Sequence, residues 1–338
     1  MFIFDQILRP MIRVGVIGAG HLGKIHLKLL KQSERFELVG FYDADQQLAK
    51  EIEKTFGYTY FERPEDLIKV CDLIDIVTPT THHFDGAMSV LNAGKHVFIE
   101  KPITETTDQA ETLIALAQQK GLKGQVGHVE RFNPAFTAVK DKIQSPMFIE
   151  THRLAEFNPR GTDVPVVLDL MIHDIDIILS VVKSSVKKVS ASGVSVVSDT
   201  HDICNARLEF DNGAVANLTA SRISMKNMRK SRFFQKNAYI TVDFLEKEAQ
   251  AFKIKNVDKN TDEYAMTIDL GNDKGQKEIY FDQPDIKPVN AIKEELRTFA
   301  EAIVNDTVPK VTIDEGYQAL DVAHQILNKL KVSANLLE

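Results

Sequence analysis

Tryptophan is absent and cysteine nearly so, with Cys71 and Cys204 the only two and far apart in the chain. Two cysteines build neither a disulfide framework nor a cysteine-based zinc site, and such sparing use suits a reducing, cytoplasmic setting. No apolar run is long enough to cross a bilayer as a helix, so no membrane partner is expected. Positive charge is also in deficit. The 41 Lys and Arg against 48 Asp and Glu leave a formal net charge of -7, which repels a polyphosphate backbone and makes nucleic acid an unexpected partner. The opening M-F-I-F-D-Q-I-L-R-P lacks the basic n-region and apolar stretch of a secretory signal. Met11 stands directly before the first predicted strand, so residues 1–10 read as an upstream-start extension or a short arm without functional weight.

What remains is an ordinary globular composition. At 338 residues the chain exceeds one ordinary core, so two domains are expected, at 11–127 and 128–338. From residue 13 onward, short apolar runs without polar alternation are separated by amphipathic stretches. Strands are predicted at 13–17, 37–42, 73–77, 96–99 and 123–126, with a weaker one at 59–61, and helices at 44–56 and 107–120. Strands covered on both faces imply a doubly wound α/β domain with a parallel sheet. After residue 127 the pattern changes. One helical stretch at 168–182 precedes strand-like runs at 186–193, 204–210, 215–221, 239–244 and 278–281, with turn signals such as Asp211-Asn212-Gly213 between them. This predicts an α+β domain on a large, mostly antiparallel sheet. Helices at 291–305 and 313–331, separated by Pro309, close the chain and can pack back on the first domain.

Gly18-Ala19-Gly20-His21-Leu22-Gly23 is a G-x-G-x-x-G. Alone it says little, but here it follows a predicted strand and opens the helical run 24–31, where pyrophosphate meets backbone N–H groups at a helix N-terminus. Gly18 permits the tight turn, Gly20 admits the phosphates, and Gly23 lets helix and sheet pack closely; His21 and Leu22 belong to the same cradle. The second strand ends at Asp43, twenty positions past Gly23, where a carboxylate accepts hydrogen bonds from both ribose hydroxyls. No arginine follows and Asp45 adds negative charge, so a 2′-phosphate is repelled and NAD is expected rather than NADP. Thr78-Pro79-Thr80 ends another strand at the same sheet edge and reads equally as a cofactor contact or a plain turn.

Glu100-Lys101-Pro102 follows strand 96–99, which brings Lys101 out at the edge that carries the nucleotide loop. An ammonium there can hydrogen-bond a substrate hydroxyl and stabilise developing oxyanion character, although a bare K-P pair is also an ordinary solvated turn. Asp169 and His173 stand i, i+4 in an otherwise apolar helix, with Asp176 on the same face at i+7. Such groups are costly to bury unless paired or facing a wet cleft. Asp169 can fix the His173 tautomer and leave its other nitrogen to take a proton from an alcohol; a satisfied core pair reads equally well. A metal site lacks a convincing third ligand, and none is expected.

These segments together resemble the Gfo/Idh/MocA oxidoreductases. The matches run in family order: G-A-G-H-L-G at 18–23, T-P-T-T-H-H at 78–83, A-G-K-H-V-F-I-E-K-P at 93–102, G-H-V-E-R-F-N-P at 127–134 and D-L-M-I-H-D at 169–174. The resemblance implies an N-terminal Rossmann domain that binds NAD and a C-terminal domain for substrate binding and oligomerisation. It puts Lys101 and His173 at the catalytic lysine and histidine, Asp169 at the accompanying acid, and Glu100 and His83 at the cofactor cleft. Many members carry Gly-Gly shortly before the helix acid, where this chain reads Asp163-Val164-Pro165-Val166-Val167.

Three stretches, at 127–134, 151–160 and 161–176, resemble the branch that oxidises the 3-hydroxyl of UDP-N-acetylglucosamine. On that resemblance His128, Arg131, Arg153, Arg160 and Asp176 are expected at the substrate. Arg153 and Arg160 suit a diphosphate, because guanidinium forks bind phosphate bidentately, and suit a solvated loop as well. The basic run Lys226, Arg229, Lys230 and Arg232 can reach a nucleotide, but reads more readily as a solvated strand edge. The expected reaction is hydride transfer between nicotinamide and a secondary alcohol of a sugar nucleotide. A free-sugar or inositol dehydrogenase and a non-catalytic NAD-binding sensor are the alternatives, and the presence of Lys101, Asp169 and His173 together argues against the sensor. A homodimer or homotetramer is expected from the open face of the large sheet.

Overall fold

The computed structural model describes residues 11–158, 164–257, 265–271 and 275–335. The chain divides into two compact units, one reaching Val129 and taking in Asn290–Leu320, the other holding Glu130–Val289 and continuing from Asp321.

The first unit alternates β1 (Ile12–Ile17), α1 (His21–Lys31), β2 (Phe36–Tyr42), α2 (Gln46–Phe56), α3 (Pro64–Val70), β3 (Leu73–Ile76), α4 (His83–Asn92), β4 (His96–Glu100), α5 (Thr107–Lys120) and β5 (Gly124–Gly127). The strands form one parallel sheet in the order β2-β1-β3-β4-β5. Strands β3 and β5 are buried along their whole length, as helices on both faces of a parallel sheet require. The connections leave β1 in opposite directions toward β2 and β3, so the carboxyl ends of β1 and β3 form the topological switch point. Local chemistry sets several boundaries. Helix α5 starts on a Thr106–Gln109 capping box and stops at Gly121 in the left-handed conformation, which matches the prediction of 107–120. Helix α2 starts two residues later than predicted because Asp45 caps it, accepting from the Gln47 and Leu48 N–H groups at 3.0 Å each. The weak strand expected at 59–61 is a single bridge from Tyr60 to Phe41.

The second unit contains α6 (Pro134–Val139), β6 (Phe148–Leu154), a π-helical turn at Val167–Met171 leading into α7 (Ile172–Val182), and then β7 (Val186–Val194), β8 (Ile203–Phe210), β9 (Val215–Ser221), β10 (Met228–Gln235), β11 (Ala238–Asp243), β12 (Glu248–Asn256), β13 (Thr267–Asp269) and β14 (Gln276–Asp282). Among the described residues these strands make one sheet, β13-β14-β12-β11-β10-β6-β9-β8-β7, antiparallel at every junction except β6 with β9. The basic run at 226–232 is not at an edge. It enters β10, which is flanked by β11 and β6. The last helices are α8 (Ala291–Val304) and α9 (Ile313–Asn335). Leu296, Phe299 and Ala300 of α8 share the first unit's core with Val14, Leu27 and Phe98. No helix among the described residues is long and apolar enough to cross a membrane.

Strand β2, which ends beside Asp43, is held closely by the segment that follows α2. A Cβ on Gly40 would lie 2.4 Å from the Thr59 carbonyl oxygen and 2.7 Å from the Phe61 ring. Gly40→Ala is therefore expected to cost about 1–3 kcal/mol of stability, the usual range for overpacking. A urea midpoint equal to that of the parent would contradict this.

Candidate active site

The loop after β1 uses its three glycines differently. Gly18 sits at φ +97°, and a Cβ there would lie 2.8 Å from the Thr78 backbone nitrogen. A Cβ on Gly23 would meet the Gly18 carbonyl oxygen at 2.0 Å, so only glycine lets α1 begin so close to the loop. At Gly20 nothing lies within 4 Å of the Cβ position, which leaves that face open to a ligand. Helix α1 starts at His21 and Leu22 with no capping side chain and no acid in its first turn, a favourable end for a phosphate. Asp43 braces the loop, its carboxylate accepting from the Ala19 N–H at 2.6 Å and the Asp45 N–H at 2.9 Å. Each carboxylate oxygen keeps acceptor capacity for a ribose hydroxyl.

Asp43, Gly18, Gly20, Thr78 and Pro79 border a cavity of about 630 Å³, with Leu48, Pro64 and Ile68 as an apolar wall. Its size and lining suit a nucleotide. Asp43 and Asp45 bring two carboxylates to the rim and no arginine is among the described lining residues, which favours NAD over its 2′-phosphate. Thr80 stands just beyond, opening a short 3-10 turn with His82.

Lys101 leaves the carboxyl end of β4, half-buried, with a cis peptide bond to Pro102. The two neighbours expected in the cofactor cleft are turned inward. His83 is 1 % exposed, with its ring nitrogens 2.8 and 2.9 Å from the carbonyl oxygens of Pro102 and Thr78. It therefore braces two loops, and burial pushes its pKa down. Glu100 is 9 % exposed; one oxygen accepts the Lys101 N–H at 3.1 Å and the other lies 3.4 Å from Nε2 of His26. His128, expected at the substrate, is also buried.

Sequence reasoning missed His26 and Asp75. His26 lies one turn past Gly23 with Nδ1 2.8 Å from the Asp75 carboxylate, and both side chains are fully buried. The signal was present in Leu73-Ile74-Asp75-Ile76, an acid inside a strand covered on both faces, which demands a partner. Burial works against charge on His26, but Asp75 and Glu100 together hold its pKa well above the ordinary value. Burial would likewise raise the Glu100 carboxyl, yet contacts from His26 and the Lys101 N–H hold it below the usual range.

In the second unit the acids near α7 divide into two groups. Arg153 donates to the two Asp174 oxygens at 2.9 and 3.0 Å and to Glu130 at 2.9 Å. Arg131 donates to the two Asp176 oxygens at 2.6 and 2.8 Å. Arg153 is 2 % exposed, so the expectation that it binds a diphosphate is corrected: its fork is occupied inside the unit. Arg131 and Asp176 are buried with each other for the same reason, rather than turned toward substrate. Asp176 does not share the open face of Asp169 and His173, which stay half-exposed. The π turn carrying Asp169 winds more widely than an α turn and shifts the phase between positions 169 and 176. Arg160 lies outside the described residues. Along β10, Lys230 stands 2.9 Å from Asp243, Arg229 3.7 Å from Glu130 and Arg232 3.8 Å from Glu150. Among the described residues, no three His, Cys, Asp or Glu side chains are grouped to hold a metal ion.

Residues 12–128 match the family model described as an oxidoreductase family with NAD-binding Rossmann fold, and residues 121–238 match the GFO/IDH/MocA C-terminal domain. The UDP-N-acetylglucosamine 3-dehydrogenase of Acidithiobacillus ferrooxidans is 38 % identical over 235 residues, covering 69 % of this chain and 74 % of the relative. Its solved structure superposes with a TM-score of 0.85 at 30 % identity, over 96 % of this chain and 99 % of that one. A scyllo-inositol 2-dehydrogenase (NAD(+)) of Bacillus subtilis is 28 % identical over 236 residues, covering 64 % of this chain and 69 % of the relative. Consecutive domain models of one family thus cover residues 12–238, and the protein belongs to the Gfo/Idh/MocA oxidoreductases, with NAD as its dinucleotide.

Proposed function

We propose that the protein is a dehydrogenase of a secondary sugar alcohol and that it oxidises the 3-hydroxyl of a UDP-N-acetylglucosamine-type sugar nucleotide. The observation that carries this reading is the different burial of the polar side chains along 167–176. Asp174 and Asp176 are buried against arginines, whereas Asp169 and His173 are only partly buried. The choice of sugar and carbon is supported by the 38 % identity to the Acidithiobacillus enzyme.

When bound, NAD supplies the acceptor for the hydride of the carbinol carbon. In this reading Lys101 hydrogen-bonds the hydroxyl oxygen and stabilises its developing negative charge. His173 takes the hydroxyl proton and returns it in the reverse direction. Asp169 holds the imidazole tautomer and favours its protonated form. The diphosphate is not assigned to Arg153. A free-sugar or inositol dehydrogenase is the second reading, favoured by the 28 % identity to the Bacillus inositol enzyme. The buried free thiols of Cys71 and Cys204 suit a reducing, cytoplasmic setting.

Self-association is also part of this proposal. Phe148, Phe234, Tyr239, Phe252 and Phe281 pair directly across five adjacent strands on one sheet face, with ring centres 4.7 to 5.8 Å apart. Phe281 is 56 % exposed, and an aromatic row left open in this way is surface that a second copy would cover.

Purified protein with NAD and a panel of UDP-sugars, free hexoses and inositols is expected to produce reduced nicotinamide with UDP-N-acetylglucosamine; production only with an inositol would establish the second reading instead. Lys101→Met and His173→Ala are each expected to lower kcat by roughly 10²- to 10⁴-fold, the usual contribution of acid–base groups, with NAD affinity unchanged by fluorescence titration. Full turnover in both variants would remove these roles. Mass photometry is expected to show a dimer or tetramer that Phe281→Glu weakens, and a monomeric parent would refute the association.

A further inference from the structure

A charged trio lies beneath the sheet edge from which Lys101 emerges. The imidazole of His26 on α1 hydrogen-bonds Asp75 of β3 through Nδ1, at 2.8 Å, and its Nε2 stands 3.4 Å from Glu100 of β4, an ion-pair distance. Phe98 packs edge-on against the same ring, with centres 5.9 Å apart. The Glu100 carboxylate is confined from another side by β5, where a Cβ on Gly127 would come within 2.8 Å of it. Its second oxygen accepts the Lys101 N–H.

An imidazole offers a nitrogen to each acid, Nδ1 to Asp75 and Nε2 to Glu100. A buried carboxylate deprived of such a polar partner turns away.

We infer that His26 and Asp75 are positioning residues for Lys101: Asp75 fixes the imidazole, the imidazole holds the Glu100 side chain in one orientation, and Glu100 fixes the backbone from which the Lys101 ammonium projects. The relay joins the helix that follows the nucleotide loop to the strand end that bears the lysine. It rests on the reading of Lys101 as the residue that polarises the substrate hydroxyl.

Two near-isosteres separate the contacts. His26→Asn keeps a polar partner for Asp75 at the Nδ1 position and withdraws from Glu100, whereas His26→Gln reaches the Nε2 position and keeps a donor for Glu100. Amide hydrogen exchange read by mass spectrometry requires neither substrate nor cofactor. It is expected to quicken at residues 99–104 in His26→Asn and to stay near the parent rate in His26→Gln. With UDP-N-acetylglucosamine and NAD, His26→Asn is expected to lose roughly tenfold to a hundredfold in kcat, as small displacements of catalytic groups do, at little change in KM for NAD. His26→Gln is expected to recover most of that loss. Parent-like exchange and kcat in His26→Asn would overturn the inference. So would equal impairment of both variants with exchange quickened throughout the unit, the mark of a purely structural role. If Lys101→Met keeps its turnover, the functional reading falls and the inference falls with it; if Lys101→Met is inactive while His26→Asn behaves as the parent, the inference falls alone.

Discussion

Taking an ionised side chain out of water is costly unless a partner of opposite charge meets it in the interior, and in both units that constraint decides which polar residues reach the surface. In the first, a buried imidazole stands between Asp75 and Glu100, and Glu100 is thereby kept off the cavity that its sequence position suggests. In the second, Arg153 and Arg131 neutralise Asp174 and Asp176, while Glu130 completes the shell around Arg153. Gly20, Asp43, Lys101, Asp169 and His173, by contrast, each keep at least partial exposure.

The parts of the fold that were legible in the sequence are those fixed by contacts close along the chain. The boundaries of α5 follow from its capping box and Gly121, and the parallel strands show as unbroken apolar runs. Strands β6 and β10 escaped notice for the opposite reason. F-I-E-T-H-R-L and M-R-K-S-R-F-F-Q carry too much charge to read as interior strands, yet they lie side by side in the middle of the large sheet. Cross-strand charge pairs such as Arg232 with Glu150 make that tolerable, and those partners are remote in sequence. Helix α3, with seven residues, is too short to display a helical period.

The same distinction applies to the site. The tight turn at Gly18, the close helix start at Gly23 and the place of Asp43 beside the loop could be read from spacing, because such a loop is defined by its own backbone and the strand beside it. Side-chain direction at His83, Glu100 and Arg153 depends on groups contributed by other elements, which position in the sequence does not show. Asp75 was the readable clue to the buried trio, since an acid in a doubly covered strand has few ways to be satisfied.

The ion pairs beside α7 matter more for orientation than for stability. Ile172, Ile175, Ile177, Ile178, Val181 and Val182 are all buried, so apolar residues surround much of the helix and by themselves tolerate more than one rotation about its axis. A buried salt bridge adds little net stability compared with a hydrophobic replacement, but breaking it by rotation strands two charges. Asp174 and Asp176, each gripped by both oxygens, therefore set the phase of the helix. Once that phase is set, the π turn ahead of it decides where Asp169 falls, and His173 is carried to the open side by the charges that stay hidden.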